Sequence, residues 1–399
     1  MEKTKKAGKM FTSVSVGAAT VWFSTHCGAG FASGTQELQY FTNHGWYGWI
    51  LPVISIFIIA AIYYVGMETA RQTDKWNYHA WSKEAYKPIG SLGSVLIEIS
   101  IVVTTIAATA GCISAGANLG NQQFGWPMWV GSVLMFVIIT VLCIFGEKVV
   151  RNNAMIMTVA IIAIVLIVLI AGVVKNSGTI AQLMREGYVN PEAAKWSITG
   201  AAGATTQGNF GNALLWALTY AGFQMAIIGG VSSSFKGAKS KRESKGAVIL
   251  GFILNVVMLS GVCLLLFAGM PGIWENDAAR TLPTLYMVNS LGIPALSVLY
   301  PILLFLALVT TGVGMTFGIV ERLNPYILKR MKSEKARKSI ISVLSLGVCW
   351  GVSLFGLLWV VQVAYKYLGI YNWIAMIIPL AIFGFANIKK RDKAKRTML

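Results

Sequence analysis

The chain has 399 residues, of which 56% are hydrophobic and only 12% are charged. Soluble proteins carry about 25% charged residues, so the composition excludes an ordinary soluble enzyme and indicates a polytopic helical membrane protein. The 33 Lys and Arg against 15 Asp and Glu give a formal charge of +18. These basic residues lie in short clusters between apolar runs, which is typical of cytoplasmic loops rather than of nucleic-acid binding.

Ten segments are apolar enough to cross a bilayer, which needs about 20 mainly apolar residues per helix. They cover residues 11–41, 46–69, 91–116, 128–146, 154–175, 209–233, 246–269, 294–320, 339–363 and 370–388. We therefore predict an all-α polytopic membrane protein, in which residues 1–399 form a single transmembrane domain of ten helices.

The connecting loops predict the orientation of these helices. If the N-terminus is cytoplasmic, 28 of the 33 Lys and Arg fall on the cytoplasmic side, 5 fall outside, counting Lys175 at the outer end of the fifth span, and none falls in the interior of a span. Cytoplasmic loops carry an excess of Lys and Arg, so this bias predicts that both termini are cytoplasmic. The expected location is the cell membrane, with the lipid bilayer as a partner.

The first predicted helix contains glycines and polar residues where an unbroken helix would be apolar. Its sequence GAGFASGTQELQYF places Gly28, Gly30 and Gly34 within seven residues, followed by Glu37. Inside a bilayer, backbone groups freed by a break must face a cavity or a ligand. A break here therefore predicts a binding site at mid-membrane. The alternative is that the glycines only allow neighbouring helices to pack closely.

The sixth predicted helix is interrupted in a similar way. Tyr220, Gly222 and Gln224 lie near its middle, and the tripeptide Ala-Gly-Phe at residues 221–223 also occurs at 29–31. Interrupted helices five spans apart predict two inverted repeats of five helices each. The repeats would cover about residues 11–175 and 209–388.

The motif GAGFASGTQELQYF resembles the first-helix motif of the YkvI-type membrane proteins of Gram-positive bacteria, a branch of the amino acid–polyamine–organocation (APC) superfamily. The resemblance extends over essentially the whole chain, including the ten spans, the interrupted helices one and six, and the basic loop KGAKSKRESKG. It implies the LeuT fold, a 5+5 inverted repeat with broken helices 1 and 6. The resemblance implies the fold firmly but hardly indicates which substrate the protein binds.

The eighth predicted helix has a face that suits a hard cation. Ala307, Thr310 and Thr311 lie at positions i, i+3 and i+4, which places a carbonyl and two hydroxyls on one side. In sodium-coupled transporters of the LeuT fold, this arrangement forms a Na+ site with two carbonyls of the first helix. The resemblance implies Ser24 and Cys27 as the donors of those carbonyls. The alternative is that the two hydroxyls bond only to their own helix.

The two interrupted helices also supply the expected substrate site. The N–H groups at Gly28, Ala29 and Gly30 would bind a carboxylate, and carbonyls near Leu218 and Thr219 would bind an ammonium. Aromatic and hydroxyl groups for the same site are Phe31, Thr105, Tyr220 and Phe223. Together these groups suggest a small amino acid or a similar zwitterion.

Two carboxylates are candidates for coupling or gating, because charged groups inside a bilayer are costly and usually functional. Glu98 in the third span could carry a proton, pair with a cation or gate the cytoplasmic side. Glu37 follows the first-helix break and could gate the outer vestibule or contact a substrate amine. His26 is expected to be a hydrogen-bonded packing residue.

We therefore expect a secondary active transporter of a small amino acid or related zwitterion, coupled to Na+. Helices one, two, six and seven would rock against helices three, four, eight and nine to give alternating access. A proton-coupled transporter, an amino-acid sensor without bulk transport and a channel remain open as alternatives. An enzyme is not expected, because no nucleotide-binding loop or metal-ligand cluster is present in the sequence. No organic cofactor, nucleic acid or obligate protein partner is predicted.

Overall fold

The computed structural model describes residues 9–191 and 210–397, without the side chains of 146–158 and 396. Every regular element in these ranges is a helix, and none of the residues described forms a strand. The predicted all-α class is therefore confirmed. Residues 192–209, in the predicted loop between helices five and six, lie outside the described residues.

The described helices are numbered α1 to α20 in chain order. They are α1 (Ser13–His26), α2 (Ala29–Ser33), α3 (Thr35–Tyr40), α4 (Leu51–Thr73), α5 (Tyr78–Ala85), α6 (Gly90–Phe124), α7 (Met128–Val141), α8 (Glu147–Lys175), α9 (Ser177–Arg185), α10 (Phe210–Phe223), α11 (Ile228–Ser234), α12 (Lys241–Phe267), α13 (Gly272–Glu275), α14 (Asp277–Thr281), α15 (Pro283–Ser290), α16 (Pro294–Leu323), α17 (Glu334–Ser353), α18 (Leu357–Trp359), α19 (Tyr365–Asn372) and α20 (Phe385–Thr397). Single 3-10 turns occupy Thr42–His44 and Gln224–Ile227. Turns of π-helix occupy Leu142–Gly146, Val360–Ala364, Trp373–Ile377 and Leu380–Gly384.

Local sequence signals explain where several helices begin. The hydroxyl of Thr12 accepts from the N–H of Ser15, and the Ser15 hydroxyl accepts from the N–H of Thr12, which forms a capping box before α1. Ser240 and Glu243 form the same arrangement at the start of α12. Pro294 begins α16, a position where its missing N–H removes no helical hydrogen bond. These caps satisfy N–H groups that the helix itself leaves without acceptors.

Each predicted span corresponds to helix in the described residues, but the count of ten is not confirmed. By length and apolar composition, 7 described stretches can cross a membrane, and the bent pair Val159–Lys175 and Ser177–Arg185 makes an eighth. The first span falls short because it is divided into α1, α2 and α3. In the ninth span, the charged start of α17, EKARK, lowers the hydropathy. Ten spans therefore remains a prediction, as do the bounds of the two repeats.

The boundary between the ninth and tenth helices differs from the prediction. α17 ends at Ser353, and the chain turns at Gly356, whose φ is +90°. The tenth helical stretch then covers Leu357–Lys395, whereas the sequence predicts 370–388. The predicted outer loop around Lys366 is wrong, because this residue lies inside α19.

The helices pack in two groups. In the first group, α1 contacts α11 and α12, while α4 contacts α10 and α12. In the second group, α6 contacts α7, α16 and α17, and α16 also contacts α17. These groups are helices one, two, six and seven and helices three, four, eight and nine, so the predicted grouping is confirmed. The tenth helix contacts both groups, because α19 packs on α10 and on α6.

Candidate ion and substrate site

The first span is broken twice. α1 ends at His26, Cys27 and Gly28 are not helical, and α2 begins at Ala29. A second break occurs at Gly34, whose φ of +80° lies in the left-handed region that favours glycine. The predicted interruption of this helix is confirmed, and it falls just before the Ala-Gly-Phe tripeptide.

The break leaves carbonyl oxygens without a backbone partner. The N–H of Cys27 donates to the Phe23 carbonyl at 3.0 Å. The N–H of Gly28 donates to the carbonyl of His26 at 2.8 Å, and not to that of Ser24. In the described part of the chain, no hydrogen bond reaches the carbonyls of Ser24 and Cys27. Such carbonyls are costly inside a membrane unless they face water or a ligand.

The residues predicted to bind sodium line a single cavity of about 340 Å³. They are Ser24, Cys27, Ala307, Thr310 and Thr311. Apolar side chains, including those of Phe23, Ile161 and Met315, form other parts of the wall. The predicted face of the eighth helix therefore lies opposite the break in the first span.

The two threonines of this cavity differ in their hydrogen bonds. The hydroxyl of Thr310 donates to the carbonyl of Leu306 at 2.8 Å and lies 3.2 Å from that of Ala307. The hydroxyl of Thr311 has no hydrogen bond to any described residue. A Cβ built on Gly28 would lie 3.9 Å from Cγ2 of Thr311, so the helix break faces Thr311 of α16 at close range. The Thr310 hydroxyl thus bonds to its own helix, which is the alternative to sodium binding, whereas the Thr311 hydroxyl is available to a ligand.

A buried hydrogen-bonded group connects the first, sixth and seventh helices. Nε2 of His26 lies 2.5 Å from the Tyr220 hydroxyl, and its Nδ1 lies 2.5 Å from Oδ1 of Asn255. The ring of Phe31 is beside His26, with 6.0 Å between the ring centroids. Phe31 and Tyr220, two of the predicted substrate residues, therefore meet through His26, which has the packing role expected from the sequence.

Tyr365 is a residue of this region that the sequence analysis missed. Its ring stacks on Phe223, with centroids 4.0 Å apart and 18° between the ring planes. A Cβ built on Gly111 of α6 would lie 2.6 Å from the Tyr365 hydroxyl and 3.7 Å from the Cβ of Ala29. Tyr365 therefore fills the space between the first-helix break and the third helix. The sequence analysis missed it because the predicted spans 339–363 and 370–388 leave Tyr365 in a loop, whereas it lies in α19.

The sixth helix is irregular but not unwound. α10 continues to Phe223, and the 3-10 turn over Gln224–Ile227 follows it, just after the predicted tripeptide. The hydroxyl of Tyr63 donates to the carbonyl of Gln224 at 2.6 Å, and the amide of Asn372 donates to the carbonyl of Gly222 at 2.9 Å. Side chains of the second and tenth helices therefore satisfy the carbonyls around this turn.

Polar groups predicted to bind the solute are engaged within the protein in this conformation. The carbonyl of Leu218 accepts from the indole of Trp373 at 2.6 Å. The hydroxyls of Thr219 and Thr105 each donate to the carbonyl four residues earlier in the same helix, at 2.7 and 2.6 Å. An ammonium at Leu218 would therefore have to displace the Trp373 indole.

The two predicted coupling carboxylates have opposite environments. Glu98 accepts from Nε of Arg322 at 2.9 Å and from the hydroxyl of Tyr78 at 2.5 Å. Glu37 is fully buried, and neither of its oxygens has a hydrogen-bond partner in another described residue. Of the possibilities that the sequence left open, the structure shows a cationic partner for Glu98.

Comparisons with known proteins give a fold and one distant relative. No family model matches the chain. It is 19% identical over 317 residues to the uncharacterized membrane protein YkvI of Bacillus subtilis strain 168, covering 79% of this chain and 82% of that protein.

Solved structures of transporters are similar to most of the chain. One is a Na+-coupled sialic acid symporter in a substrate-bound outward-open state, with a TM-score of 0.59, 12% identity, and 93% and 89% of the two chains covered. Another is inward-facing Mhp1, with a TM-score of 0.59, 13% identity, and 95% and 90% covered. A third is the manganese transporter of Eremococcus coleocola, with a TM-score of 0.58, 15% identity, and 92% and 78% covered. The predicted LeuT fold and the resemblance to YkvI are both confirmed.

Proposed function

We propose that the protein is a Na+-coupled secondary transporter of a small amino acid or a related zwitterion, and that it works by alternating access. The cavity at the first-helix break carries this proposal, because the predicted sodium ligands meet there. Carbonyls of an unwound helix are typical ligands of coupling ions in transporters built from inverted repeats. The fold shared with a Na+-coupled symporter supports the same class of mechanism.

The donors in this cavity suit a monovalent cation. They are the unpaired carbonyls of Ser24 and Cys27 and the free hydroxyl of Thr311, and none of the described lining residues is charged. Divalent cations are usually bound with at least one carboxylate. Na+ therefore fits this oxygen set better than the manganese ion carried by one of the structural neighbours.

The proposed solute site lies beside the break, between Phe31, Tyr220 and Tyr365. The N–H groups of Gly30 and Phe31 have no backbone acceptor among the residues described, which supports binding of a carboxylate there. Lys366 is not assigned to the solute, because its ammonium lies 5.0 Å from the centre of the exposed Tyr367 ring. A small solute without net negative charge is therefore the proposed substrate class.

Reconstitution into liposomes tests the proposal. A thermal-shift screen of amino acids in Na+ and in K+ would first select a solute that stabilises the protein, since a ligand that binds only the folded state raises its stability. Uptake of that labelled solute should then be saturable and driven by an inward Na+ gradient. Passive equilibration would indicate a channel, and binding without accumulation would indicate a sensor. Equal binding in Na+ and K+ would contradict sodium coupling.

A further inference from the structure

Glu37 lies where a charged carboxylate is strongly unfavourable. Its side chain on α3 is 0% exposed, and neither oxygen has a hydrogen-bond partner in another residue of the described ranges. Removing an ionised carboxylate from water without a partner has a large free-energy cost, so such a group takes up a proton or binds a cation instead.

The groups that face Glu37 do not supply a counter-ion. Cys27, Tyr220, Cys263 and Tyr300 are near enough to interact with it electrostatically, and all four are thiol or hydroxyl groups. Other titratable groups on α3 and on the elements packed against it are Tyr40, His44, Asp277, Arg280 and Tyr286, together with Lys241, Arg242, Glu243 and Lys245 at the end of α12 that lies farthest from Cys263.

These remaining groups are engaged or directed elsewhere in the structure. Arg280 is paired with Asp277. The hydroxyl of Tyr40 donates to the carbonyl of Val361 at 3.0 Å, and Tyr286 is exposed. The ring of His44 lies beside Trp216, with 6.4 Å between the ring centroids. Glu37 is therefore without a cationic partner among the described residues.

α14 and α15 cover α3, the helix that carries Glu37, at one end of the molecule, which we call the capped end. The hydroxyl of Thr35 donates to the carbonyl of Thr281 at 2.6 Å, and a Cβ on Gly34 would clash with the hydroxyl of Thr284. Protein atoms cover both oxygens of Glu37. Neither Na+ nor an ammonium has room beside them, whereas a proton needs no cavity.

We propose that Glu37 binds a proton while the capped end is closed and exchanges it with the solution on that side when α14 and α15 move away from α3. The proton comes from water and returns to water, and no other bond changes. This inference rests on the proposed alternating-access transport, and it makes H+ a second coupled ion beside Na+. The positive-inside rule would place the capped end on the outer side.

Infrared difference spectroscopy of the purified protein detects this proton directly. At about pH 7 exposed carboxyl groups are ionised, because an ordinary Glu titrates near 4.3. We expect the carbonyl stretch of a protonated carboxylic acid in the wild type and its loss in Glu37→Gln. Glu275→Gln, which changes an exposed carboxylate in α13, should keep the band. A wild type without the band overturns the proposal even if the Glu37 variant fails to fold, and so does a band that persists in Glu37→Gln.

Thiol labelling connects the proton to closure of the capped end. Thr284→Cys places a thiol in the buried part of α15 and Asn289→Cys places one on its exposed side, while the five native cysteines are buried. We compare the rates at which a membrane-impermeant maleimide labels the two variants. The rate for Thr284→Cys divided by the rate for Asn289→Cys should rise about threefold or more between about pH 6 and 8, because loss of the proton from Glu37 disfavours the closed state. Adding Glu37→Gln should remove the dependence of this ratio on pH.

A ratio that is flat in the wild type, or that still rises with Glu37→Gln, contradicts the proposed link. Neither measurement requires Na+ or a solute. If Na+-driven uptake fails while the infrared band and the pH-dependent labelling are found, the proposed transport function is rejected and protonation of Glu37 is retained.

Discussion

At the scale of single residues, Thr310 and Thr311 separate the two interpretations of the same sequence pattern. We expect Thr311→Val to weaken the apparent affinity for Na+ by about 10- to 100-fold, because losing a polar contact to a charged partner costs about 1.5–3 kcal/mol. Thr310→Val should have a smaller effect, since the Thr310 hydroxyl already bonds to Leu306. Sodium titrations of thermal stability measure both, with Thr311→Ser as the control that keeps the hydroxyl. Equal losses in the Val and Ser variants would show that Thr311 is not a ligand.

Gly30 gives a second test at this scale. A Cβ built there would lie 2.7 Å from Oε1 and 2.9 Å from Cβ of Gln36, so any larger side chain displaces Gln36 within the first span. We expect Gly30→Leu to abolish solute binding while the protein still inserts into the membrane. Gly17→Leu is the matched control, because a Cβ on Gly17 of α1 meets nothing within 4 Å. Near-normal affinity of the purified Gly30 variant would show that this glycine serves only helix packing.

At the scale of helices, Glu98 on α6 connects α16, which is in the same packing group, with α5, which packs on α11 of the other group. It binds Arg322 of α16 and Tyr78 of α5, and a Cβ built on Gly229 of α11 would lie 3.2 Å from the Cβ of Tyr78. We expect Glu98→Gln to slow transport by a few-fold, since partly exposed pairs contribute about 0.2–1 kcal/mol.

Arg322→Gln removes the same ion pair and should have a similar effect. The double variant should be no worse than either single one, because residues that share one interaction are not additive. Uptake rates measured across about pH 5.5 to 8 provide the comparison. Unchanged uptake rates in both single variants would show that the ion pair of Glu98 and Arg322 is only a structural contact.

The sequence predicts regular helices and their polar interruptions better than their ends. The break near Gly28 and the face formed by Ala307 and Thr311 are recognisable because polar groups stand out at helical spacing in an apolar background. The turn at Gly356 is not, since Gly347 and Gly351 of the same apolar run lie within α17 and the sequence does not distinguish Gly356 from them. Turns of π-helix then change which side chains face inward, so Tyr365 could not be assigned from helical periodicity.

At the scale of the whole molecule, the two sides of the first-span break differ. α14 and α15 cover the first span at the capped end. The cavity proposed to bind sodium lies on the other side of the break, since its first-span residues run from Phe23 to Cys27 and its eighth-helix residues continue to Met315, toward Arg322. The proposed alternating access requires a difference of this kind between the two sides of the break.

A cross-link between the two packing groups should arrest transport, and one within a group should not. A Cβ built on Gly111 lies 3.7 Å from the Cβ of Ala29, which connects α6 with α2 across the groups. A Cβ built on Gly312 lies 3.7 Å from the Cβ of Cys112, which connects α16 with α6 inside one group. Both separations match the roughly 3.8 Å between the Cβ atoms of a disulfide.

We therefore expect the oxidised Ala29→Cys/Gly111→Cys protein, in a Cys112→Ala background, to lose Na+-driven uptake and to regain it after reduction. Oxidised Gly312→Cys protein, paired with the native Cys112, should take up solute at the same rate before and after reduction. The reduced form of each variant controls for the substitutions themselves. If the cross-link between the groups forms and uptake is unchanged, the two groups do not move past each other at the level of the first-helix break, and rocking of one group against the other is rejected as the transport motion.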